Sequence, residues 1–578
     1  MIPLNTCHKQ YTQDLDKALP PKVTIEKGEQ TLSRFGKDLL LSVNRIDTGR
    51  LNIPVYISYC GSKAQKVMQT RKQMGKGASE EQARASALME LIERYSFFSF
   101  FEGAGLACSL SWSAAEKKLG HDLMSIETVL QAFEESIDLA KARQIMDLIT
   151  WRFCPGFNIS KQEKTYLPLD LFKKINEFNG SSAGNTFEES ILQGANELIE
   201  RHVGAIIERD QPNLPTLDPK SFTDPILVRL WNNLIQNNIR VWLKDLSLDT
   251  AIPTIGVLAF DPNTFPDTSE IIFTAGTATS PNKAAIRALT ELAQLAGDFE
   301  TGSSYEPSGL PKYQTVEETV WIQQGPLISI EDLPDISHND ILVELTHLTR
   351  KLEQKGYCLY SVDITHPELG IPANFNIIPG FLFRERTSNI SLGLVVGRIL
   401  AEEYSIDKAC TGLNALSRIE PDKHYLPFFY GLLSLRMGEI QEAGQYFSRA
   451  EPLQPSPEEQ GLVAFYMAYT LSQIQAWTEC LPHLDRAIKL SPYVNSFHNL
   501  RGVANFKQKR FDQAAQDFHK ALSLDGGSAI DLANLGLCYR YMGKLELACQ
   551  YLQKSLSLDP NIDFAQRNLD ELTKDNQS

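Results

Sequence analysis

Apolar positions along residues 1–410 follow two different periods. Short β-branched and aromatic runs predict strands at 241–243, 271–274 and 358–363. Longer stretches with an apolar period near 3.6 residues predict amphipathic helices over 78–101, 187–209 and 281–298. Strands that alternate with helices in this way are typical of a mixed α/β or α+β domain. We therefore predict one such domain over residues 1–410.

The last third of the chain repeats with a period of 34 residues, which relates Gly502 to Gly536. Small residues, a bulky residue and a helix breaker recur at fixed places in the repeat: Cys480, Ala514 and Ala548; Leu484, Phe518 and Leu552; Pro492, Gly526 and Pro560. An earlier copy contains Gly431, with three extra residues in the loop around 456–460. The pattern predicts about four tetratricopeptide-type helix pairs over 424–561 and a terminal helix near 563–574.

The repeat region is expected to hold a protein partner, because a stack of helix pairs presents a curved surface. Polar side chains on the first helices of the pairs are candidates to contact that partner: Asn499, Asn505, Asn534 and Tyr541. The alternative is that these residues are solvated and that the repeats only stabilise the chain.

The chain carries a formal net charge of −15 over 578 residues. Such a charge repels a polyanion, so we expect no nucleic-acid partner. The nine cysteines are scattered and include no CxxC pair, which argues against a zinc ribbon or a disulfide framework. Neither a signal peptide nor a stretch of membrane-spanning length is evident. We therefore expect a cytoplasmic protein that does not associate with a membrane.

Three of the predicted helices place polar and acidic residues on one face. At helical spacings of three, four, seven and eight, these stripes are Ser86, Glu90, Glu93 and Arg94; Glu189, Gln193, Asn196, Glu197, Glu200 and Arg201; and Arg287, Glu291 and Gln294. The pentapeptide Glu-Leu-Ile-Glu-Arg occurs twice, at 90–94 and 197–201. The alternative for any single stripe is an ordinary solvated helix face.

Small-residue segments precede the first two of these helices. They are Gly75-Lys76-Gly77 and 179–185, which includes Ser182 and Asn185. Turns of this kind can offer backbone N–H groups to phosphate oxygens, although neither matches a P-loop. Carboxylates without a His/Cys cluster favour Mg²⁺. Together the segments predict a site for a nucleoside triphosphate and magnesium.

The order of these motifs resembles the YcaO family over residues 20–405. The matching elements are Ser86-x3-Glu90-x2-Glu93-Arg94 after Gly-Lys-Gly, Gly-Asn-Thr-x-Glu-Glu at 184–189, Arg-Ala-Leu-Thr-Glu-x2-Gln at 287–294, and the segments 362–372 and 379–380. The resemblance implies an α+β (mixed α/β) catalytic domain at 1–410, with its core at about 20–405. The all-α tetratricopeptide-repeat solenoid would then occupy 424–575.

What the resemblance implies for function is transfer of the γ-phosphate of Mg-ATP to the oxygen of a peptide or protein backbone amide. It assigns Mg²⁺ binding to Glu90, Glu93, Glu197, Glu200 and Glu291. It assigns ATP binding to Ser86, Arg94, Ser182, Asn185, Glu189, Arg201 and Arg287. Lys22 and Thr31 are the nearest candidates for further nucleotide contacts from the N-terminal segment, and no general base is identified.

The family's azoline-forming members end in a Pro-x-Pro-x-Pro tail, whereas this chain ends in Leu-Thr-Lys-Asp-Asn-Gln-Ser, and this departure counts against azoline formation. The resemblance as a whole implies cyclodehydratase- or thioamidation-type chemistry, or a role as an accessory to ribosomal-protein modification. The partners would be a peptide or protein substrate and a protein bound by the repeats, or a second copy in a homodimer. The alternative function is a non-catalytic ATP-binding scaffold whose repeats mediate protein–protein interaction.

Overall fold

The computed structural model describes residues 4–103, 108–299, 313–384 and 390–575. These residues form two compact units. The first comprises the described residues up to 384 except 144–149, and the second comprises 144–149 and 390–575.

The strands all precede residue 390. They are β1 (Leu40–Arg45), β2 (Val55–Cys60), β3 (Lys72–Lys76), β4 (Cys108–Leu110), β5 (Trp151–Asn158), β6 (Glu163–Pro168), β7 (Ser181–Ala183), β8 (Thr216–Leu217), β9 (Arg240–Asp245), β10 (Thr254–Phe260), β11 (Ile272–Thr277), β12 (Leu327–Ile328), β13 (Tyr360–Asp363) and β14 (Ala373–Ile377).

Among the described residues these strands form three sheets. One is the antiparallel sheet β1-β2-β3. The second has the order β11-β10-β9-β8-β12, in which β8 and β12 are parallel. The third has the order β4-β5-β13-β14-β7, with β6 paired to β5.

The helices before residue 390 are α1 (Pro21–Ser33), α2 (Ser62–Met68), α3 (Glu80–Glu102), α4 (Trp112–Leu119), α5 (Ile126–Leu130), α6 (Leu139–Met146), α7 (Leu169–Asn176), α8 (Phe187–Asp210), α9 (Pro225–Gln236), α10 (Pro281–Ala296), α11 (Val320–Gln323) and α12 (Ile341–Gln354). Short 3₁₀ turns lie at Gly120–Asp122, Pro219–Ser221, Gly297–Phe299, Glu317–Thr319, Ile330–Asp332 and Glu451–Leu453.

Three long helices pack on the three sheets. Helix α3 packs on β2 and β3, α8 packs on β7 and β14, and α10 packs on β10 and β11. Each of these contacts buries the apolar face of the helix. Leu88 and Leu91 on α3 and Leu289 on α10, for example, are fully inaccessible to solvent. The predicted helices over 78–101, 187–209 and 281–298 correspond to α3, α8 and α10, and the mixed α/β class is confirmed.

The second unit is helical. Its helices are α13 (Leu392–Glu403), α14 (Ile406–Ile419), α15 (Tyr425–Met437), α16 (Ile440–Ala450), α17 (Pro457–Gln473), α18 (Trp477–Leu490), α19 (Asn495–Lys507), α20 (Phe511–Leu524), α21 (Ala529–Tyr541), α22 (Leu545–Leu558) and α23 (Asp563–Asp575). Helices α15 to α22 form four successive pairs and α23 ends the stack, so the predicted repeat is confirmed. The domain limits 1–410 and 424–575 stay predictions.

Small residues allow the paired helices to approach closely. A Cβ atom added at Gly502 on α19 would lie 2.8 Å from the ring of Phe518 on α20. This pair occupies the small and bulky positions that the 34-residue period identifies, which explains why the repeat can be recognised in the sequence.

Two of the amides expected to contact a partner are instead bonded within the repeats. Asn505 is buried, and its amide donates to Asp517 Oδ2 at 2.9 Å. The amide of Asn499 donates to Asp531. Tyr541, by contrast, is 61% exposed. The expectation was therefore wrong for Asn505, because its buried amide holds two helices of one pair together. For Asn499, which is partly exposed, it stays a prediction.

Within the described part of the chain, no helix combines the length and the apolar composition needed to cross a bilayer.

Candidate functional site

One cavity of about 250 Å³ lies in the first unit, between α1, α3, α8 and α10. It brings together every predicted site residue except Ser182. The predicted residues that line it are Ser86, Glu90, Glu93, Arg94, Asn185, Glu189, Glu197, Glu200, Arg201, Arg287 and Glu291. They lie up to 205 positions apart in the sequence, so the convergence is a property of the fold.

The three long helices begin in the same way. Ser79, Thr186 and Ser280 are the N-cap residues of α3, α8 and α10, and the side chain of each accepts a hydrogen bond from the backbone N–H three residues later. A side-chain acceptor at this position satisfies one of the free N–H groups of the first turn and so fixes where the helix starts.

The cavity residues follow these N-caps at equal intervals. They stand seven residues later (Ser86, Gln193, Arg287), eleven residues later (Glu90, Glu197, Glu291) and fourteen residues later (Glu93, Glu200, Gln294). At 1.5 Å per residue, the glutamates at the eleventh position lie about 16 Å along the helix from its start. The glutamates at the eleventh and fourteenth positions thus come from the middle of the three helices, whereas Asn185 and Glu189 lie at the N-terminus of α8.

The Gly75-Lys76-Gly77 segment differs from the expected anion-binding turn. Gly75 and Lys76 belong to β3. A Cβ atom at Gly75 would lie 2.0 Å from the backbone nitrogen of Ala87 on α3, so glycine is required for close approach of the strand and the helix. Lys76 instead reaches the cavity, where its ammonium group pairs with Glu291. Burial, followed by the nearby charge of Arg287, lowers the pKa of Lys76 to about 8.

Glu90 and Glu93 of α3 lie close to Glu197 of α8 in the cavity. The hydroxyl of Ser181 donates to Glu93 Oε1 at 2.8 Å, and Arg94 Nη1 lies 3.4 Å from the same oxygen. Burial raises the pKa of Glu90. Burial, together with the charges of Glu197 and Glu90, raises the pKa of Glu93 to about 8. Placing these carboxylates side by side is unfavourable unless positive charge offsets their repulsion.

Backbone and arginine groups hold the carboxylates of α8. Glu197 accepts from the N–H of Gly180 at 3.4 Å, and Glu200 accepts from the N–H of Thr277 at 3.0 Å. An Nη2 atom of an arginine lies 3.9 Å from each carboxylate: Arg201 beside Glu197, and Arg287 beside Glu200.

A second group of contacts joins α1 and the residues just before it to Glu189 and Asn185. Lys17 Nζ lies 3.6 Å from Glu189 Oε1, and the N–H of Ala18 donates to Glu189 Oε2 at 2.9 Å. Thr24 and Asn185 are hydrogen-bonded to each other through their side chains. Lys17 and Thr24 both line the cavity.

Lys22 and Thr31, the candidates that the sequence suggests, do not line it. Lys22 is exposed on α1, and Thr31 is buried on that helix. Lys17 and Thr24 carry no distinctive spacing in the sequence, and only their proximity to Glu189 and Asn185 in the fold identifies them.

Ser182 is also placed differently from its neighbour. It is fully buried, and its hydroxyl donates to the carbonyl oxygen of Ser190 at 2.7 Å. Ser181 presents its hydroxyl to the cavity instead.

The donor set suits a triphosphate bound with a hard cation. Oxygen ligands from several glutamates are what Mg²⁺ prefers, and the arginines and lysines can meet phosphate oxygens. The Nε atom of Arg287 is buried without a hydrogen-bond partner in the described residues, which leaves it available to an acceptor. Within those residues, however, no three His, Cys, Asp or Glu side chains converge on one metal position. The carboxylates pair with basic and N–H groups instead.

Comparison with known proteins agrees with this chemistry. The model of a family described as YcaO cyclodehydratase, ATP- and Mg²⁺-binding, matches residues 74–382, and a tetratricopeptide-repeat model matches 496–528 and 529–562. An uncharacterized protein of Methanothermobacter thermautotrophicus is 25% identical over 389 residues, covering 63% of this chain and 94% of that protein.

The ribosomal protein S12 methylthiotransferase accessory factor YcaO of Escherichia coli is 25% identical over 337 residues, covering 53% of this chain and 56% of that protein. A solved heterocyclase in complex with substrate and cofactor superposes with a TM-score of 0.52 and 22% identity, covering 66% of this chain and 54% of the other. At this identity, the similarity to the heterocyclase shows that the two proteins share a fold. The chain therefore spans about half the length of each of these two proteins.

Proposed function

The chain belongs to the YcaO family and carries its ATP- and Mg²⁺-binding domain, and from this premise we propose that it activates a peptide or protein backbone amide by O-phosphorylation. The single observation that carries the proposal is the cavity in which six glutamates meet three arginines and two lysines. A site without a polyanionic ligand and its cations would have no physical need for so many buried charges.

The proposed residue roles follow the contacts. Glu90, Glu93, Glu197, Glu200 and Glu291 would hold Mg²⁺. Ser86, Arg94, Asn185, Glu189, Arg201 and Arg287 would contact the nucleotide, and we add Lys17, Thr24 and Lys76 to this group because they line the same cavity. For Ser182 we propose an indirect contribution, since it packs behind Ser181 and hydrogen-bonds to α8.

ATP would supply the phosphoryl group that converts the amide oxygen into a leaving group, and Mg²⁺ would offset the charge of the phosphates. The chain itself has to position the reacting groups and keep water away, as other phosphoryl-transfer sites do. The fixed spacing of the three helices suits this task, because all five glutamates proposed to hold Mg²⁺ are carried by long, well-capped helices rather than by loops.

We also propose how the rest of the chain serves this reaction. The repeats, which indicate protein interaction, would bind a substrate-bearing protein or a second copy of the chain, and residues 1–410 and 424–575 would act as catalytic and repeat domains. Thioamidation-type or cyclodehydratase chemistry and an accessory role in ribosomal-protein modification are both compatible with the site. We propose a reducing cytoplasmic location, in keeping with the nine cysteines, which all lie within the described residues as free thiols.

Calorimetric titration of ATP with and without Mg²⁺ tests the proposal. Binding should require Mg²⁺ and should weaken at least tenfold, on the order of 1.4 kcal/mol, in Glu90→Gln and Glu197→Gln, because each substitution removes one negative ligand. Glu81→Gln is the matched control, since Glu81 is an exposed residue of α3 outside the cavity. Equal affinity in the wild type and all three variants would refute the site.

The alternative function, a non-catalytic scaffold, differs in its outcome after binding. A catalyst mixed with ATP and an accepted peptide releases ADP, and a scaffold retains ATP unchanged. Stoichiometric ATP recovery in the presence of every candidate substrate would favour the scaffold.

A further inference from the structure

Two aromatic rings lie side by side at the turns of the last two repeats. Phe511 and Tyr541 are stacked, with centroids 5.1 Å apart and planes inclined by 13°. Phe506 meets both rings edge-on at 5.4 Å. Tyr541 is nevertheless 61% exposed. The aromatic group is therefore rigid although one of its faces is open to solvent.

A groove of about 520 Å³ runs beside these rings. Its lining residues are Lys509, Arg510, Phe511, Asp512, Gln513, Met542 and Lys544. We call these residues together with Tyr541 the turn surface. Three of its charged residues are basic and one is acidic, although the whole chain carries a net charge of −15.

The three basic side chains of the turn surface are exposed and form no ion pair with a carboxylate of the described chain. Lys544 lies over the ring of Tyr539 at 5.7 Å, and the side chains of Lys509 and Arg510 make no hydrogen bond to the described residues. Their positive charge is therefore available to a binding partner.

The positions of Arg510 and Lys544 make this charge unusual. They are the N-cap residues of α20 and α22, and neither provides a side-chain acceptor for the first turn. A basic residue at the positive end of a helix is electrostatically unfavourable, and N-caps are normally Ser, Thr, Asp or Asn. The same place in the first two repeats holds Glu439 and Ala476. The basic N-caps thus contribute nothing to helix stability and are confined to one end of the solenoid.

We propose that the turn surface binds an extended acidic peptide segment that carries an aromatic side chain. The acidic residues would pair with Lys509, Arg510 and Lys544, and the aromatic side chain would pack against Tyr541. Charge complementarity favours a short peptide over nucleic acid, because the remainder of the chain repels a long polyanion. The inference rests on the proposed function, in that the segment belongs to the peptide or protein whose amide is activated.

Fluorescence anisotropy with the full-length protein tests the inference. The probe is a fluorescein-labelled acidic peptide of Glu and Asp that includes Phe. Two comparison peptides replace the acidic residues by Lys or the Phe by Ser. The acidic aromatic peptide should bind most tightly, and its affinity should fall as salt rises, since exposed charges are screened.

Charge reversal locates the contact. Arg510→Glu combined with Lys544→Glu should weaken binding by about tenfold or more, because each exposed pair contributes a factor of up to about five. The matched control is Lys489→Glu combined with Lys554→Glu, which changes the net charge equally at exposed positions outside the groove and should leave the affinity nearly unchanged. Tyr541→Ser should weaken binding in a protein that remains folded, because this side chain is 61% exposed, while loss of its stack on Phe511 lowers the unfolding temperature only slightly.

Equal weakening in both double variants would overturn the inference, as would tighter binding of a labelled single-stranded oligonucleotide. A wild-type dimer that only Arg510→Glu with Lys544→Glu converts to a monomer would also overturn it, since the surface would then contact a second copy. Peptide binding should persist in Glu90→Gln, so a failure of the ATP site and a failure of the turn surface are separable.

Discussion

Replacing Gly75 by alanine should disturb the candidate site from a distance. Gly75 lies in β3, and an added Cβ would meet Ala87 N at 2.0 Å, Ala83 O at 2.5 Å and Ala87 Cα at 2.6 Å. All three atoms are backbone atoms of α3, so no side-chain rotation can relieve the clash. To reach an ordinary separation of 3.4 Å, the strand and the helix must part by about 1.4 Å at this point.

The expected cost has two parts. Overpacking of this kind destabilises a protein by about 1–3 kcal/mol, which lowers the unfolding temperature by a few degrees in a domain of this size. The displacement also moves Glu90 and Glu93 relative to the carboxylates of α8. A misplacement of about 1 Å can cost about 100-fold in a positioned reaction, so Mg-ATP affinity and turnover should both fall.

Thermal unfolding and Mg-ATP titration of matched alanine variants measure this effect. Gly204→Ala is the control, because no atom lies within 4 Å of its added Cβ, and it should stabilise α8 by up to about 1 kcal/mol. Gly276→Ala should resemble Gly75→Ala, since an added Cβ on this β11 residue would lie 2.4 Å from the backbone nitrogen of Ala288 on α10. A Gly75→Ala protein that unfolds and binds Mg-ATP like the wild type would refute the reasoning.

Two further predictions concern other parts of the first unit. The guanidinium of Arg94 lies 4.3 Å from the ring centroid of Phe178, which is 38% exposed. Phe178→Leu should weaken Mg-ATP binding about twofold to fivefold, and Phe178→Tyr should leave it unchanged. Equal Mg-ATP affinities of the two variants in a calorimetric titration would contradict this prediction. Lys244 is fully buried and donates to the Gln324 carbonyl at 2.7 Å, and burial lowers its pKa to about 8. An unfolded lysine has a pKa of about 10.4, so the unfolded state binds more protons than the folded state between about pH 8 and 10.4. The free energy of unfolding should therefore rise with pH in this range, by up to about 3 kcal/mol relative to Lys244→Met. If urea denaturation gives the same difference in unfolding free energy between the two proteins at every pH, the pKa of Lys244 is not lowered.

The helical part of the site could be predicted from the sequence because its spacing is local. Glu90 and Glu93 lie one turn apart on any helix, so their shared face follows from the 3.6-residue period alone. The repeats are equally local, since Gly502 and Phe518 belong to one helix pair. The family motifs supply the connection between helices that the period cannot provide.

The remaining parts depend on contacts between distant segments. Lys17 is identified only by its proximity to Glu189, which is 172 positions away. Ser181 and Ser182 are chemically identical, but β7 is an extended strand whose successive side chains point to opposite faces. Ser181 therefore faces the cavity and Ser182 faces α8, and a shift of the strand by one residue would exchange them. The residue type alone does not indicate which of the two serines faces the cavity.

The common interval from N-cap to carboxylate has a consequence for how this site can change during evolution. Each residue of an α-helix turns the next by about 100°, so one inserted residue between Ser79 and Glu90 would carry the carboxylate around to another side of α3. Amino-acid replacements on the outer faces of α3, α8 and α10 leave the interval intact. Divergence within these helices should consequently proceed by substitution, while insertions and deletions accumulate after the last cavity residue of each helix.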